Sequence, residues 1–201
     1  MPNLDSNSQQ EIVTELNNLK RKAALMQDCH GRLSERFSSW ESKSSIIITV
    51  FAAVAFIATT AETKTLFDFV SENDLKRVAA LCSLIVFLST LVKLETRWGM
   101  KASAHQATLN AFTRYLRHID MILKSVDNKS YEELEAIALQ LTTEYSNIGD
   151  FSPNIPSAQF LDLKQKHLQK VAISRALDAN PFQSQRKLRH EIARTNQDTT
   201  E

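Results

Sequence analysis

Two stretches of the chain carry neither a charge nor a polar face. Residues 44–61 read SSIIITVFAAVAFIATTA, 18 positions without a charged side chain, and residues 78–92 read VAALCSLIVFLSTLV, 15 more. As α-helices they extend about 27 Å and about 22 Å at ~1.5 Å per residue, against a hydrocarbon core of ~30 Å. Lys43 and Glu62 bracket the first, and Lys76, Arg77 and Lys93 flank the second. Long basic stems can snorkel to the interface and extend the usable length. Both runs are apolar on every side rather than along one stripe, which separates a membrane span from the surface helix of a soluble bundle. The pattern predicts transmembrane helices at 44–61 and 78–94 joined by a short external loop at 62–77. The rival reading is a soluble bundle in which these two helices form the core.

Outside the runs the pattern becomes periodic. Ile12, Leu16, Leu19, Ala23, Met26, His30, Leu33, Phe37 and Trp40 alternate four- and three-residue steps, a heptad seam of the coiled-coil kind. In register it continues through Ile47, Phe51, Val54 and Ala58, so one long helix is expected from near Ser8, capped by Asn7 or Ser8. Gly31 within it costs ~1 kcal/mol relative to alanine and does not end it. Beyond the second run, Trp98, Ala102, His105, Leu109, Phe112, Leu116, Ile119 and Leu123 repeat the same spacing. Two seams of equal kind predict an antiparallel pair of helices continuing out of the membrane. Candidates for that pairing are His30, Phe37 and Trp40 on the first helix and Trp98, His105 and Phe112 on the second. Trp40 and Trp98 also fall just outside the two runs, where aromatic belts form.

A third helix begins at a capping box, Ser130 with Glu133, and carries Leu134, Ile137, Leu141, Tyr145 and Ile148 on one face until Gly149. Pro153 and Pro156 make an extended connector, because proline disfavours helix at the residue before it. A fourth helix is expected from 157 to 179, closed by Asn180-Pro181, and 181–201 reads as a mobile polar tail. The expected fold is all-α: a transmembrane hairpin between a 1–43 N-terminal cytoplasmic helix and a 95–180 cytoplasmic helical region.

Charge sets the orientation. Six of the 24 Lys and Arg lie in 1–43, three in 62–77 and fifteen beyond 92. The segment 62–77 also carries Glu62, Asp68, Glu72 and Asp74, so both termini are expected in the cytoplasm. No apolar stretch before residue 43 has the form of a signal peptide. The net charge is +1, without the basic excess that a nucleic-acid coat needs. Three glycines, Gly31, Gly99 and Gly149, leave no phosphate-binding loop or dinucleotide fingerprint. Cys29 and Cys82 are too few for a structural zinc site or a disulfide framework, in keeping with a reducing compartment.

Candidate chemistry is correspondingly thin. His30 and His105 occupy seam positions, where a hydrogen-bonded core histidine outweighs a metal ligand or a proton-sensing pair. Glu132, Glu133 and Glu135 are explained by the dipole at a helix N-terminus, and Lys20, Arg21 and Lys22 by a solvated basic face near an anionic membrane. No nucleophile has a base and an orienting partner, so no enzyme and no cofactor are expected. The polar residues inside the runs are Thr49, Thr59, Thr60, Ser83, Ser89 and Thr90. Either they line a water-filled path between several copies, or they bond to their own helix and pack, as a row Ser45, Thr49 and Ala53 also allows. No ionisable residue lies inside either run, which argues against a proton relay.

The order of these parts resembles the SLATT domains, two-transmembrane effectors associated with SMODS nucleotidyltransferases and SLOG sensors in bacterial conflict systems. AHQATLNAFTRYLRHID after the second run is similar to that family's His-plus-aromatic helix, and FSPNIPSAQF to its proline-containing connector; the likeness covers about residues 10–180. The resemblance implies a homo-oligomeric, pore-forming effector of the bacterial inner membrane that depolarises the cell in abortive antiviral defence. It also implies activation through cyclic nucleotide signalling, from a nucleotide-generating or nucleotide-sensing protein of the same system. Its expected partners are membrane lipid, further copies of itself and that protein, and not nucleic acid. The alternative is a membrane-tethered helical scaffold that recruits a partner and conducts nothing.

Overall fold

The computed structural model describes residues 3–60 and 72–179, together with 181 and 184. Most of the loop expected at 62–77 and nearly all of the tail expected at 181–201 lie outside the described residues. Five α-helices account for the rest: α1 Asn3–Thr60, α2 Glu72–Thr96, α3 Trp98–Lys124, α4 Tyr131–Asp150 and α5 Ser157–Ala179. A single 3-10 turn, Val126–Asn128, separates α3 from α4. No strand occurs among the described residues.

Helix α1 starts at Asn3, so neither Asn7 nor Ser8 caps it. Asn and Ser cost only tenths of a kcal/mol inside a helix, and elongation of a formed helix is cheap compared with starting one. Gly31 interrupts nothing, and a methyl group there would meet the Leu109 side chain at an ordinary 3.6 Å. The second apolar run is helical from Glu72, six residues before its first apolar position. Its helix does not continue unbroken into the downstream seam as expected. Arg97 adopts a left-handed φ of 48° and divides α2 from α3. The ladder nevertheless bridges the break, with Arg97 N–H donating to the Lys93 carbonyl at 3.2 Å and Lys101 N–H to the Arg97 carbonyl at 3.1 Å. A left-handed non-glycine residue costs ~1–2 kcal/mol and persists where contacts on both sides hold it.

The chain divides into two compact units, one of residues 1–31 and 107–201 and one of residues 32–106. The first is a four-helix unit with its own core. Ile12, Leu16, Leu19 and Ala23 of α1 pack with Phe112, Tyr115, Ile119 and Ile122 of α3 and with Leu134, Ala138 and Leu141 of α4. The α1 positions are those of the expected seam. On α3 the buried set is wider, because this helix is covered on two sides. Tyr115 is fully buried and its hydroxyl donates to the Leu141 carbonyl at 3.1 Å, tying α3 to α4. Burial of its ring pushes the Tyr115 phenol well above its usual range, with the Glu144 and Tyr145 charges adding to the shift.

The capping box forms as read, and the expected stop at Gly149 does not hold. The Ser130 hydroxyl accepts from Glu133 N–H at 3.3 Å and the Glu133 carboxylate accepts from Ser130 N–H at 3.1 Å, a complete capping box. Helix α4 passes Gly149 and ends one residue later, with Phe151 as its cap in a right-handed conformation. Residues 153–156 have no regular structure, and α5 begins directly after Pro156. Helix α5 buries Leu163 and joins α1 through Asp28, whose carboxylate lies 2.8 Å from Lys170 Nζ and 3.4 Å from His167 Nδ1.

Because Tyr115 satisfies its only polar atom inside the α3–α4 contact, Tyr115→Phe is expected to lower stability by about 1 kcal/mol. For a protein of this size that is a fall of roughly 2–4 °C in Tm. Thermal melting of the detergent-solubilised chain followed by circular dichroism reads it, and an unchanged Tm would remove the hydroxyl from the account of the core.

Candidate functional site

The second unit holds the two apolar runs. The most apolar 18-residue stretch of the first has none of its length buried by protein, and that of the second has 11%. Among the described residues between Ile46 and Leu94, fourteen large apolar side chains are exposed, Phe56 at 67% and Leu94 at 71% among them. A core helix of a soluble bundle would bury most of these. Left against water at ~25 cal/mol per Å², so large a contiguous surface would drive aggregation.

Only one face of each run meets protein. On α1 the less exposed positions include Ser45, Ile48, Phe51, Ala55 and Ala58, with Ser44 beside them, and on α2 Ala79, Cys82, Val86, Ser89 and Lys93, with Ile85 beside them. Four- and three-residue steps connect them, as side-by-side helices require. Ile47 and Val54, expected on this seam, are exposed instead. So are Thr49 and Ala53 of the expected small-residue row; Ser45 alone of that row faces the partner helix. One polar anchor closes the pair at its end: Lys93 Nζ lies 2.8 Å from Glu41 Oε1 and donates to Ser45 Oγ at 2.8 Å. Placing this ammonium group against a carboxylate and a hydroxyl satisfies it at the edge of the apolar region.

The threonine hydroxyls inside the runs are occupied locally. Thr49 donates to the Ser45 carbonyl at 2.9 Å, Thr59 to Phe56 at 2.9 Å, Thr60 to Phe56 at 2.8 Å and Thr90 to Val86 at 2.8 Å. Thr49, Thr59, Thr60, Ser83 and Thr90 are exposed, and Ser89 is half-buried beside α1. A threonine bonded to its own helix still presents an acceptor lone pair outward. Thr49 and Thr60 share one face of α1 three turns apart, and Ser83 and Thr90 share one face of α2.

Next to the runs, the structure brings the six aromatic candidates together in pairs. Trp40 and Trp98 meet edge-on with centroids 5.7 Å apart, and Phe37 stacks on His105 at 5.6 Å and 16°. The Arg36 guanidinium sits 4.6 Å over the Trp40 ring, a cation–π contact. In the first unit His30 is fully buried with its ring 6.2 Å from Phe112. The Ser34 hydroxyl reaches across to the Ala102 carbonyl at 3.1 Å, with Gln106 Oε1 at the same distance. Among the described residues no His, Cys, Asp or Glu cluster could hold a metal, and Cys29 and Cys82 are buried, unbridged thiols.

Three groups escaped the reading of the sequence. Tyr115 belongs to a second four-three row, Thr108, Phe112, Tyr115, Ile119 and Ile122, that overlaps the chosen seam. The Glu41–Lys93 pair is 52 positions apart in sequence, and only the expectation that the helices pair could have suggested it. Asp28, with His167 and Lys170, offers no local signal at all.

The family profile of the SMODS and SLOG-associating 2TM effector domain family 5 matches residues 12–190, nearly the whole chain. No curated protein and no solved structure matches it.

Burial holds the His105 imidazole below its usual range near 6.5. The folded state therefore disfavours the protonated ring while the unfolded chain still accepts a proton. Stability is expected to be unaffected by His105 above about pH 6.5 and to fall as pH drops from there toward the depressed folded value. Comparing Tm of the wild type with that of His105→Phe between pH 7.5 and pH 5 isolates the contribution; equal slopes in both would contradict a buried neutral imidazole.

Proposed function

This chain belongs to the SMODS and SLOG-associating 2TM effector family, and on that premise we propose that it assembles from several copies to permeabilise the bacterial inner membrane in antiviral defence. The observation that carries the reading is the two-faced hairpin. One face of each apolar run is used for pairing, and the remainder, apolar but seeded with Thr49, Thr60, Ser83 and Thr90, is left without protein cover. Two helices enclose no interior, so one copy has no path for ions. A path needs several copies, with hydroxyl faces turned inward and apolar faces toward lipid. With no ionisable side chain inside either run, such a path would discriminate weakly between ions and dissipate the membrane potential rather than select.

The remaining parts fit this role. The first unit has a core of its own, so it can receive a signal without contributing to the path. We assign it the contact with the nucleotide-generating or nucleotide-sensing partner of the same system. Both termini lie in the cytoplasm under this reading, as the distribution of Lys and Arg favours. The aromatic pairs Phe37–His105 and Trp40–Trp98 hold the hairpin in register where it leaves the hydrocarbon.

Expression in a bacterium with a potential-sensitive dye tests the proposal. The wild type should depolarise the cell once activated or overproduced. Thr49→Leu and Thr90→Leu should each slow depolarisation several-fold at equal membrane abundance, because leucine removes the outward lone pair and narrows the path. Full activity in both variants would remove the hydroxyl-lined path. A wild type that never depolarises the cell, yet captures a partner through the first unit, would favour a membrane-tethered scaffold.

A further inference from the structure

The second unit contains a groove that the pairing of the two apolar helices leaves open. Ile47 from α1 and Leu88 and Val92 from α2 line its apolar part, Ser44 and Ser89 add two hydroxyls, and Trp40, Lys43 and Trp98 complete it, around a cavity of about 460 Å³. That volume lies within the range of sites that hold a small ligand, ~300–1,000 Å³. Its position along the helices is informative. Ile47, Leu88 and Val92 belong to the apolar runs, whereas Trp40, Lys43 and Trp98 lie just outside them. The groove therefore passes from hydrocarbon depth to the headgroup layer.

Its charge is one-sided. Glu41, the acid nearest in sequence, is taken up by Lys93 at 2.8 Å. Lys43 makes no ion pair among the described residues and is exposed, and Arg36 stands over the Trp40 ring at 4.6 Å. Arg36, Trp40, Lys43 and Ile47 follow four-, three- and four-residue steps, so they share one face of α1. Two cations, one on either side of Trp40 along α1 and both outside the apolar slot, have the polarity profile of an anionic phospholipid: phosphate outward, acyl chain inward. A second copy seated on the same face by a two-fold axis would bring this basic row against itself. Ile47, which the seam pattern places toward α2, is turned into this groove instead.

We propose that the groove is a binding site for one anionic phospholipid, its acyl chain against Ile47, Leu88 and Val92 and its phosphate at Lys43 and Arg36. Zwitterionic lipid fits the slot equally but gains less at the cationic end. A basic side chain near a membrane surface is worth about a fivefold preference for an anionic headgroup. The site rests on α1, α2 and the first residue of α3, and is independent of whether the protein conducts.

The chain has two tryptophans and both line the groove, so their emission reports on it directly. The full chain is reconstituted in phosphatidylcholine vesicles with increasing brominated phosphatidylglycerol, or with brominated phosphatidylcholine at equal mole fraction. The anionic lipid should reach half-quenching at a several-fold lower mole fraction. Lys43→Gln should raise that mole fraction roughly fivefold and Lys43→Arg should restore it. Equal half-quenching by both lipids would mean ordinary boundary lipid and overturn the site. Failure of either lipid to quench would mean that protein covers the groove, as a second copy would, and overturns it equally. Vesicle flotation of the same samples shows insertion, so either result can be told apart from failure of the spans.

Discussion

More apolar surface on α1 and α2 than protein can cover is the constraint from which the other features follow. Two helices side by side bury one stripe each, and among the described residues the remaining faces carry fourteen exposed large apolar side chains. Hydrocarbon is the environment in which that surface costs nothing, and it imposes rules of its own. Backbone groups must be satisfied within the segment, which helices do and open strands do not. Side-chain hydroxyls must bond locally, and Thr49, Thr59, Thr60 and Thr90 each donate to a carbonyl three or four residues back. Charge must be kept to the edge and paired there, as Lys93 is with Glu41 and Ser45.

Inside the apolar region, close packing and small residues replace the hydrophobic effect as the means of pairing helices. Ala55 and Ala58 on α1 and Ala79 and Cys82 on α2 supply the small side chains on the paired faces. In the first unit the opposite holds. Its core is built from Leu16, Phe112, Tyr115, Ile119, Leu134 and Leu141, large side chains buried from water, with one buried hydroxyl tied to a carbonyl. One chain thus uses two solvents, and the composition of each unit follows the solvent it meets.

The legible and illegible parts of the structure divide along physical lines. The capping box at Ser130, the break at Pro153 and Pro156, and the extent of α5 are local effects of single residues, and they read directly from sequence. The α1 seam from Ile12 to Leu33 read well because water forces apolar residues to one side. The paired faces within the runs did not, since a helix apolar all round carries no hydropathic phase. Extending the seam by register therefore put Ile47 and Val54 on the wrong side. The anchor from Lys93 to Glu41 and Ser45, which lies on the paired faces, is a contact between distant positions that no hydropathy pattern carries. The break at Arg97 was equally hidden, because the left-handed residue is an arginine and the nearby Gly99 lies inside α3. Of the six aromatic candidates, the seam pattern named the residues that meet, while the groove beside Trp40 and Trp98 emerged only from the geometry.

Membership of a two-transmembrane effector family and the uncovered apolar faces point to the same place for this protein, within the bilayer. Alkaline carbonate extraction of membranes from cells expressing the full chain tests that most directly, because it strips peripheral and trapped soluble proteins and leaves spanning ones. The account predicts that the chain stays in the membrane pellet together with a known integral protein. Release into the supernatant, in the company of peripheral proteins, would contradict the spans and with them the permeation and lipid-binding proposals.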